Sequence, residues 1–204
     1  MGEAADTLLH AGARLFAQRG YEGASVRAIC EAAGANVNAI SYHFGGKQGL
    51  YDAVLGHWSG KQTTSAERIL GRPPADLRDL ETRLLLFTEE TLAAYMAHPE
   101  WLIICAAEFQ QGFRNCDDSA SVKKAMRGPI DVIVAFLQEA RQRNILRENV
   151  DAAVIAGSIM ERINNQVLYA DTIQSMFGDS IKSSEYLRYW SQQVIDLLVH
   201  GIAR

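Results

Sequence analysis

Asn38, Ser41, Tyr42, His43 and Lys47 place five hydrogen-bonding side chains within ten residues of one another. Asparagine and serine can pair with the edges of bases in a DNA groove, and Val37 beside them can touch a thymine methyl. Tyr42 and His43 sit where their polar tips can reach phosphates, contacts that fix register while base contacts specify sequence. Lys47 is placed against local electrostatics: a cation in the first turn of a helix opposes the helix dipole. An expected anion would account for it, since free backbone N–H groups plus an ammonium seat a phosphate well. Ser25 and Arg27 could form a similar seat. The plainer account is a solvated lysine and an ordinary helix cap, so the case rests on all of these together.

These side chains need short helices to present them. Leu8, Ala11, Leu15 and Phe16 share one face of a helix over residues 4–19, and Gly12 on that face could allow close packing. Gly20 is suited to stop it in the left-handed conformation. Ser25 caps a second helix over 26–33, with Val26, Ile29, Cys30 and Ala33 inward and Gly34 at its end. Asn36 can cap a third, 37–43, which Ile40 and Phe44 turn inward and Gly45-Gly46 break. A fourth starts near Lys47 and runs to about Leu70, weakened by Gly56 and Gly60. Two short helices joined by a tight turn, with a longer one before them, are the layout of a helix-turn-helix; three packed helices without any DNA role share that spacing.

Bulk composition is less encouraging. The chain has 204 residues and a net charge of −4, where a DNA-binding protein more often carries a basic balance. Its first 60 residues hold four cations (Arg14, Arg19, Arg27, Lys47) against five anions (Glu3, Asp6, Glu22, Glu31, Asp52). Cys30, Cys105 and Cys116 form no C-x-x-C pair, and their odd number fits a reduced, cytoplasmic protein with thiols buried as small hydrophobes. Cys116, in a polar stretch, keeps a redox-sensing alternative. No signal peptide or membrane span is expected. The run from Gly56 to Lys61 imitates a phosphate-binding loop, but its glycine spacing is one residue short and Gln62 stands where a hydroxyl must hold magnesium. Hydrolase and zinc-protease motifs are lacking, and the histidines are scattered, so neither an enzyme, a cofactor nor a metal site is expected.

The stretch from Gly20 to Leu50 resembles the DNA-binding domain of TetR-family repressors. Its most specific part is Y-H-F-x-x-K, carried here by Tyr42, His43, Phe44 and Lys47. Gly20-Tyr21, Val26-Arg27, Ala33-Gly34 and Leu50 also fall in that pattern. The run from Asn38 to Phe44 is most similar to the recognition helix of the CecR-like branch. The resemblance implies backbone contacts from Ser25, Arg27, Tyr42, His43 and Lys47, with Val37, Asn38 and Ser41 facing the bases. Two positions depart from the pattern: Ala35 replaces a larger apolar residue, and Gly45-Gly46 leaves the following loop bare.

Beyond Arg72-Pro73-Pro74 the chain reads as helices over 76–97, 100–113, a stretch reaching 143, 151–169 and 184–202, with no alternating strand pattern. The expected fold is all-α: a three-helix DNA-binding domain over 1–50 and a larger helical domain for dimerisation and effector binding over 51–204. Ile159, Ile163, Val167, Leu187, Trp190, Val194 and Leu198 give the last two long helices surplus apolar surface, expected to form a homodimer interface, as the family's C-terminal helices do. Trp101, Glu108, Phe109, Phe113, Met160 and Asn164 are candidates for an effector site, because polar groups among apolar helices need partners. The expected partners are a palindromic DNA operator, a small-molecule effector and a second copy, the function that of a regulator, in the first instance a repressor. A helical adaptor or structural dimer without DNA binding is the alternative that the acidic charge favours.

Overall fold

A computed structural model describes residues 2–116, 119–178 and 182–202. Among the described residues there are ten helices and no β-strand: α1 (Glu3–Gly23), α2 (Val26–Ala33), α3 (Ala39–Phe44), α4 (Lys47–Leu70), α5 (Leu77–Ala97), α6 (Pro99–Gln111), α7 (Ser119–Gln142), α8 (Ala152–Leu168), α9 (Ala170–Phe177) and α10 (Ser184–Ile202). No described helix is long and apolar enough to cross a membrane. The look-alike phosphate loop is continuous helix within α4.

The chain forms two compact units, and their boundaries cut across the expected division at residue 50. One gathers the described parts of Met1–Gly60 and His98–Met126; the other gathers Lys61–Ala97 and Arg127–Arg204. The reason is α6, which packs on α1 and adds Trp101, Leu102 and Ile104 to the buried side chains around Leu8, Leu9 and Phe16. Gly12 does allow close packing: a Cβ there would lie 3.1 Å from Leu50 Cδ2. In the second unit α5 packs on α8 and α10, burying Leu84, Phe87, Ile159, Ile163 and Ile195.

Local chemistry sets the ends of the small helices. Gly20 takes φ 70°, ending the regular run of α1 as expected. Ser25 Oγ accepts from the Ala28 N–H at 3.2 Å, satisfying a donor that the first turn leaves unpaired. Gly34 closes α2 in the left-handed conformation, its N–H turned back to Cys30 and Glu31 carbonyls. The third helix starts later than the expected residue 37. Asn36 Oδ1 accepts from the Asn38 N–H at 2.9 Å, a local turn that competes with the helix and holds Val37 and Asn38 ahead of it. The sequence reading also passed over α9, whose eight residues lie in a stretch it assigned to no helix.

Candidate nucleic-acid interface

Helix α3 is anchored by Ile40, which is fully buried, and by half-buried Phe44. Its other face meets solvent. Tyr42 is 85% exposed, Val37 on the preceding turn is 50% exposed, and Asn38, Ser41 and His43 are exposed as well. The Tyr42 and His43 rings meet edge to face at 4.8 Å, so two polar tips leave the helix end as a pair. A solvated tyrosine on a six-residue helix contributes little to folding; it is available for contact.

Ser25 and Arg27 at the start of α2 and Lys47 at the start of α4 are each already engaged. Ser25 spends its oxygen on the cap. Arg27 Nε lies 2.9 Å from Glu31 Oε1, and that hydrogen bond raises its already high pKa; both side chains are well exposed, so the pair is worth little and can be exchanged for a phosphate. Lys47 Nζ sits 4.3 Å over the Tyr21 ring and 3.5 Å from the Glu22 carbonyl oxygen. The negative face of the ring and that oxygen offset the unfavourable end of the α4 dipole. From the sequence, Lys47 is expected against an anion or in plain solvent, and this platform is missed; Tyr21, at the end of α1, was the available signal.

The six effector-site candidates are divided between the two compact units. Trp101, Glu108, Phe109 and Phe113 belong to the first unit, Met160 and Asn164 to the second. Trp101 is buried in an aromatic cluster, stacked on Trp58 at 5.5 Å and 7°. Phe109, 62% exposed, meets Phe113 at 5.3 Å, so it does not wall an enclosed cavity within its unit. Glu108 is fully buried and saturated: it accepts from Tyr51 Oη at 2.6 Å, Asn115 Nδ2 at 2.7 Å and Cys116 Sγ at 3.7 Å. Burial and the carboxylate push the Tyr51 phenol far above its usual range and the Cys116 thiol up to about 12. A thiol so held yields little thiolate near neutrality, which weighs against the redox-sensing alternative for Cys116. Buried polar atoms without a partner among the described residues are Thr88 Oγ1, Thr91 Oγ1 and Asn164 Oδ1 in the second unit and Trp101 Nε1 in the first. Two threonines on α5 are thus better signals of unmet polarity than the aromatic residues were.

Of the residues expected between subunits, Ile159, Ile163, Val167 and Val194 are buried within their own unit. They face the core because α5 packs on α8 and α10, and they leave nothing for a second chain to touch. Leu187, Trp190 and Leu198 are half-buried. The large apolar side chains that α8 and α10 leave open are others: Val154, Tyr189 and Leu197, each more than 60% exposed.

Residues 8–54 match the profile of bacterial regulatory proteins of the tetR family, and residues 81–198 match the tetracyclin repressor-like C-terminal domain. The HTH-type transcriptional repressor NicS of Pseudomonas putida is 22% identical, over 98% of this chain and 92% of its own. The repressor AcnR of Corynebacterium glutamicum is 47% identical over 47 residues, 23% of this chain and 25% of its own. Among solved structures, FadR of Bacillus subtilis in complex with stearoyl-CoA aligns with a TM-score of 0.75 at 20% identity, covering 97% of this chain and 98% of its own. The ketosteroid regulator KstR2 of Mycobacterium tuberculosis aligns with a TM-score of 0.73 at 17% identity, covering 100% and 97%.

Proposed function

The chain belongs to the TetR family of DNA-binding transcriptional regulators, and from that premise we propose that it is a cytoplasmic homodimer that represses by occupying a palindromic operator until a small, largely apolar effector releases it. Membership sets aside the adaptor reading. The observation that carries the proposal is the solvent-facing surface of α3 and its approach turn, where Val37, Asn38, Ser41, Tyr42 and His43 are exposed; on this reading Val37, Asn38 and Ser41 meet bases, and Tyr42, His43, Ser25, Arg27 and Lys47 meet the backbone. A two-fold dimer presents two such surfaces and therefore reads two half-sites. Support for an effector comes from the unpartnered buried atoms of Thr88, Thr91 and Asn164, and from the stearoyl-CoA that B. subtilis FadR holds on a similar fold.

The test is selection of duplex sites from a random pool, followed by affinity measurements on variants. Tyr42→Phe and Lys47→Ala should weaken binding to every sequence, and Lys47→Ala should lower the slope of log affinity against log salt by about 0.9. Asn38→Ala and Ser41→Ala should each relax preference at one position, at about 1–3 kcal/mol of discrimination. Unchanged affinity for the best selected site in all four variants would overturn the assignment of α3 as the reading helix.

A further inference from the structure

Tyr21 does two things at once. Its ring lies under the Lys47 ammonium at 4.3 Å, and its hydroxyl donates to Gln48 Oε1 at 2.6 Å. Gln48 is the next residue along α4, and its side chain is engaged by Tyr21, Asp52 and Asn115. Its Nε2 donates to the Asn115 backbone oxygen at 2.5 Å and to Asp52 Oδ1 at 3.2 Å. Asn115 then closes the circuit: its Nδ2 donates to the buried Glu108 carboxylate, which also accepts from Tyr51, and the Tyr51 ring meets the Tyr21 ring at 4.9 Å. One amide side chain therefore joins the platform of a DNA-facing cation to a segment 67 residues further along the chain.

That segment is held in an unusual conformation. Gly112 closes α6 at φ 67°, and Phe113 follows at φ 62°, a left-handed backbone that a phenylalanine rarely adopts. The reversal returns Asn115 and Cys116 onto Glu108, whose side chain sits in the last turn and a half of α6. A strained turn persists where its surroundings over-determine it, and the hydrogen bonds to Glu108 are those surroundings.

We propose that Gln48 is a positioning residue for DNA binding: it fixes the Tyr21 ring, and so the Lys47 ammonium, only while turn 113–116 is seated on Glu108. This rests on the reading of Lys47 as a phosphate contact. The physical reason is pre-organisation. A free lysine loses rotamer freedom when it meets a phosphate; one already laid on an aromatic face loses less. Unseating the turn takes from Gln48 Nε2 the nearer of its two acceptors, loosens Tyr21 and makes the phosphate contact weaker without any change at the DNA surface itself.

A double-mutant cycle on the full-length protein with its selected operator tests this. Gln48→Leu removes all three side-chain hydrogen bonds of Gln48, and Tyr21→Phe removes only the hydroxyl while keeping the ring packed on Phe16 and Tyr51. We expect Lys47→Ala to weaken binding about tenfold, a charge-assisted contact's worth. Gln48→Leu and Tyr21→Phe should each weaken binding several-fold and reduce the salt slope. In the Lys47→Ala background both should have no further effect. Equal losses with and without Lys47, an unchanged salt slope, or wild-type affinity in both variants would each overturn the positioning role while leaving Lys47 as a contact. If Lys47→Ala itself leaves affinity and slope intact, the phosphate reading fails, and this inference with it. Circular dichroism melts on Tyr21→Phe separate a loss of fold from a loss of positioning.

Discussion

Two thiols lie within electrostatic reach of the buried Glu108 carboxylate, and both are pushed up to about 12: Cys105 by burial, then by Cys116 and Glu108, and Cys116 by burial, then by Glu108 and Asp52. An unfolded cysteine releases its proton near its ordinary value of 9.0. Folded pKa values are therefore raised. The stability they contribute is fully present below about pH 9 and is lost as pH climbs toward about 12, because the unfolded chain then binds fewer protons. Urea midpoints should be level between pH 7 and about 8.5 and fall steadily above, and a Cys105→Ala/Cys116→Ala variant should fall less steeply. An identical alkaline loss in that variant would show that the thiols do not set it. Residue identity alone made part of this site legible. Val37, Asn38, Ser41, Tyr42 and His43 are exposed side by side because the Y-H-F-x-x-K pattern and the inward Ile40 fix the helix phase. Glu108 was legible as a polar group in an apolar helix, but its partners were not. Tyr51, Asn115 and Cys116 reach it only through tertiary packing and a left-handed phenylalanine that no local rule anticipates.

At the scale of elements, caps and breakers were readable: Gly20, Ser25, Gly34 and Gly45 mark ends that the structure keeps. What periodicity could not assign was which of two apolar stripes on one helix faces the core. On α10, Val194 and Leu197 are three residues apart and both apolar, yet Val194 is 7% exposed and Leu197 is 64% exposed. Position relative to α5 decides this, and that is a long-range fact. The distinction makes dimerisation through α8 and α10 testable with two variants. Leu197→Glu places a charge at an open position: the folded chain should survive with its helical content and melting behaviour, and light scattering at micromolar concentration should show a monomer. Val194→Glu buries an unpaired charge in the chain's own core, an effect of several kcal/mol, and should unfold or aggregate the protein instead. A Leu197→Glu variant that stays dimeric would move the interface off this position; a wild-type monomer would remove the homodimer altogether.

For the whole molecule, regulation requires that an effector and the operator each bias the same conformational equilibrium. The coupling is reciprocal: whatever factor the effector takes from operator affinity, the operator takes from effector affinity. Helix α4 offers such coupling a route along the backbone that starts at the DNA-facing end, since it begins at Lys47 in the first compact unit and passes into the second between Gly60 and Lys61; α7 makes a second crossing between Met126 and Arg127. Gly60 has no atom within 4 Å of where a Cβ would stand. Gly60→Ala therefore brings no clash, and its effect is to stiffen the helix by up to about 1 kcal/mol. If α4 bends there during the transition, the substitution should raise thermal stability slightly, leave operator affinity without effector nearly unchanged, and alter the factor by which a saturating effector lowers it. A thermal-shift screen on the wild-type chain supplies the ligand, and titrations of operator with and without it supply the factor. A ligand that binds tightly yet leaves operator affinity equal at saturation would show a pocket without a switch. An unchanged factor in Gly60→Ala, with coupling present in the wild type, would place the moving joint elsewhere, the other continuous helix that enters both units being α7, between Met126 and Arg127.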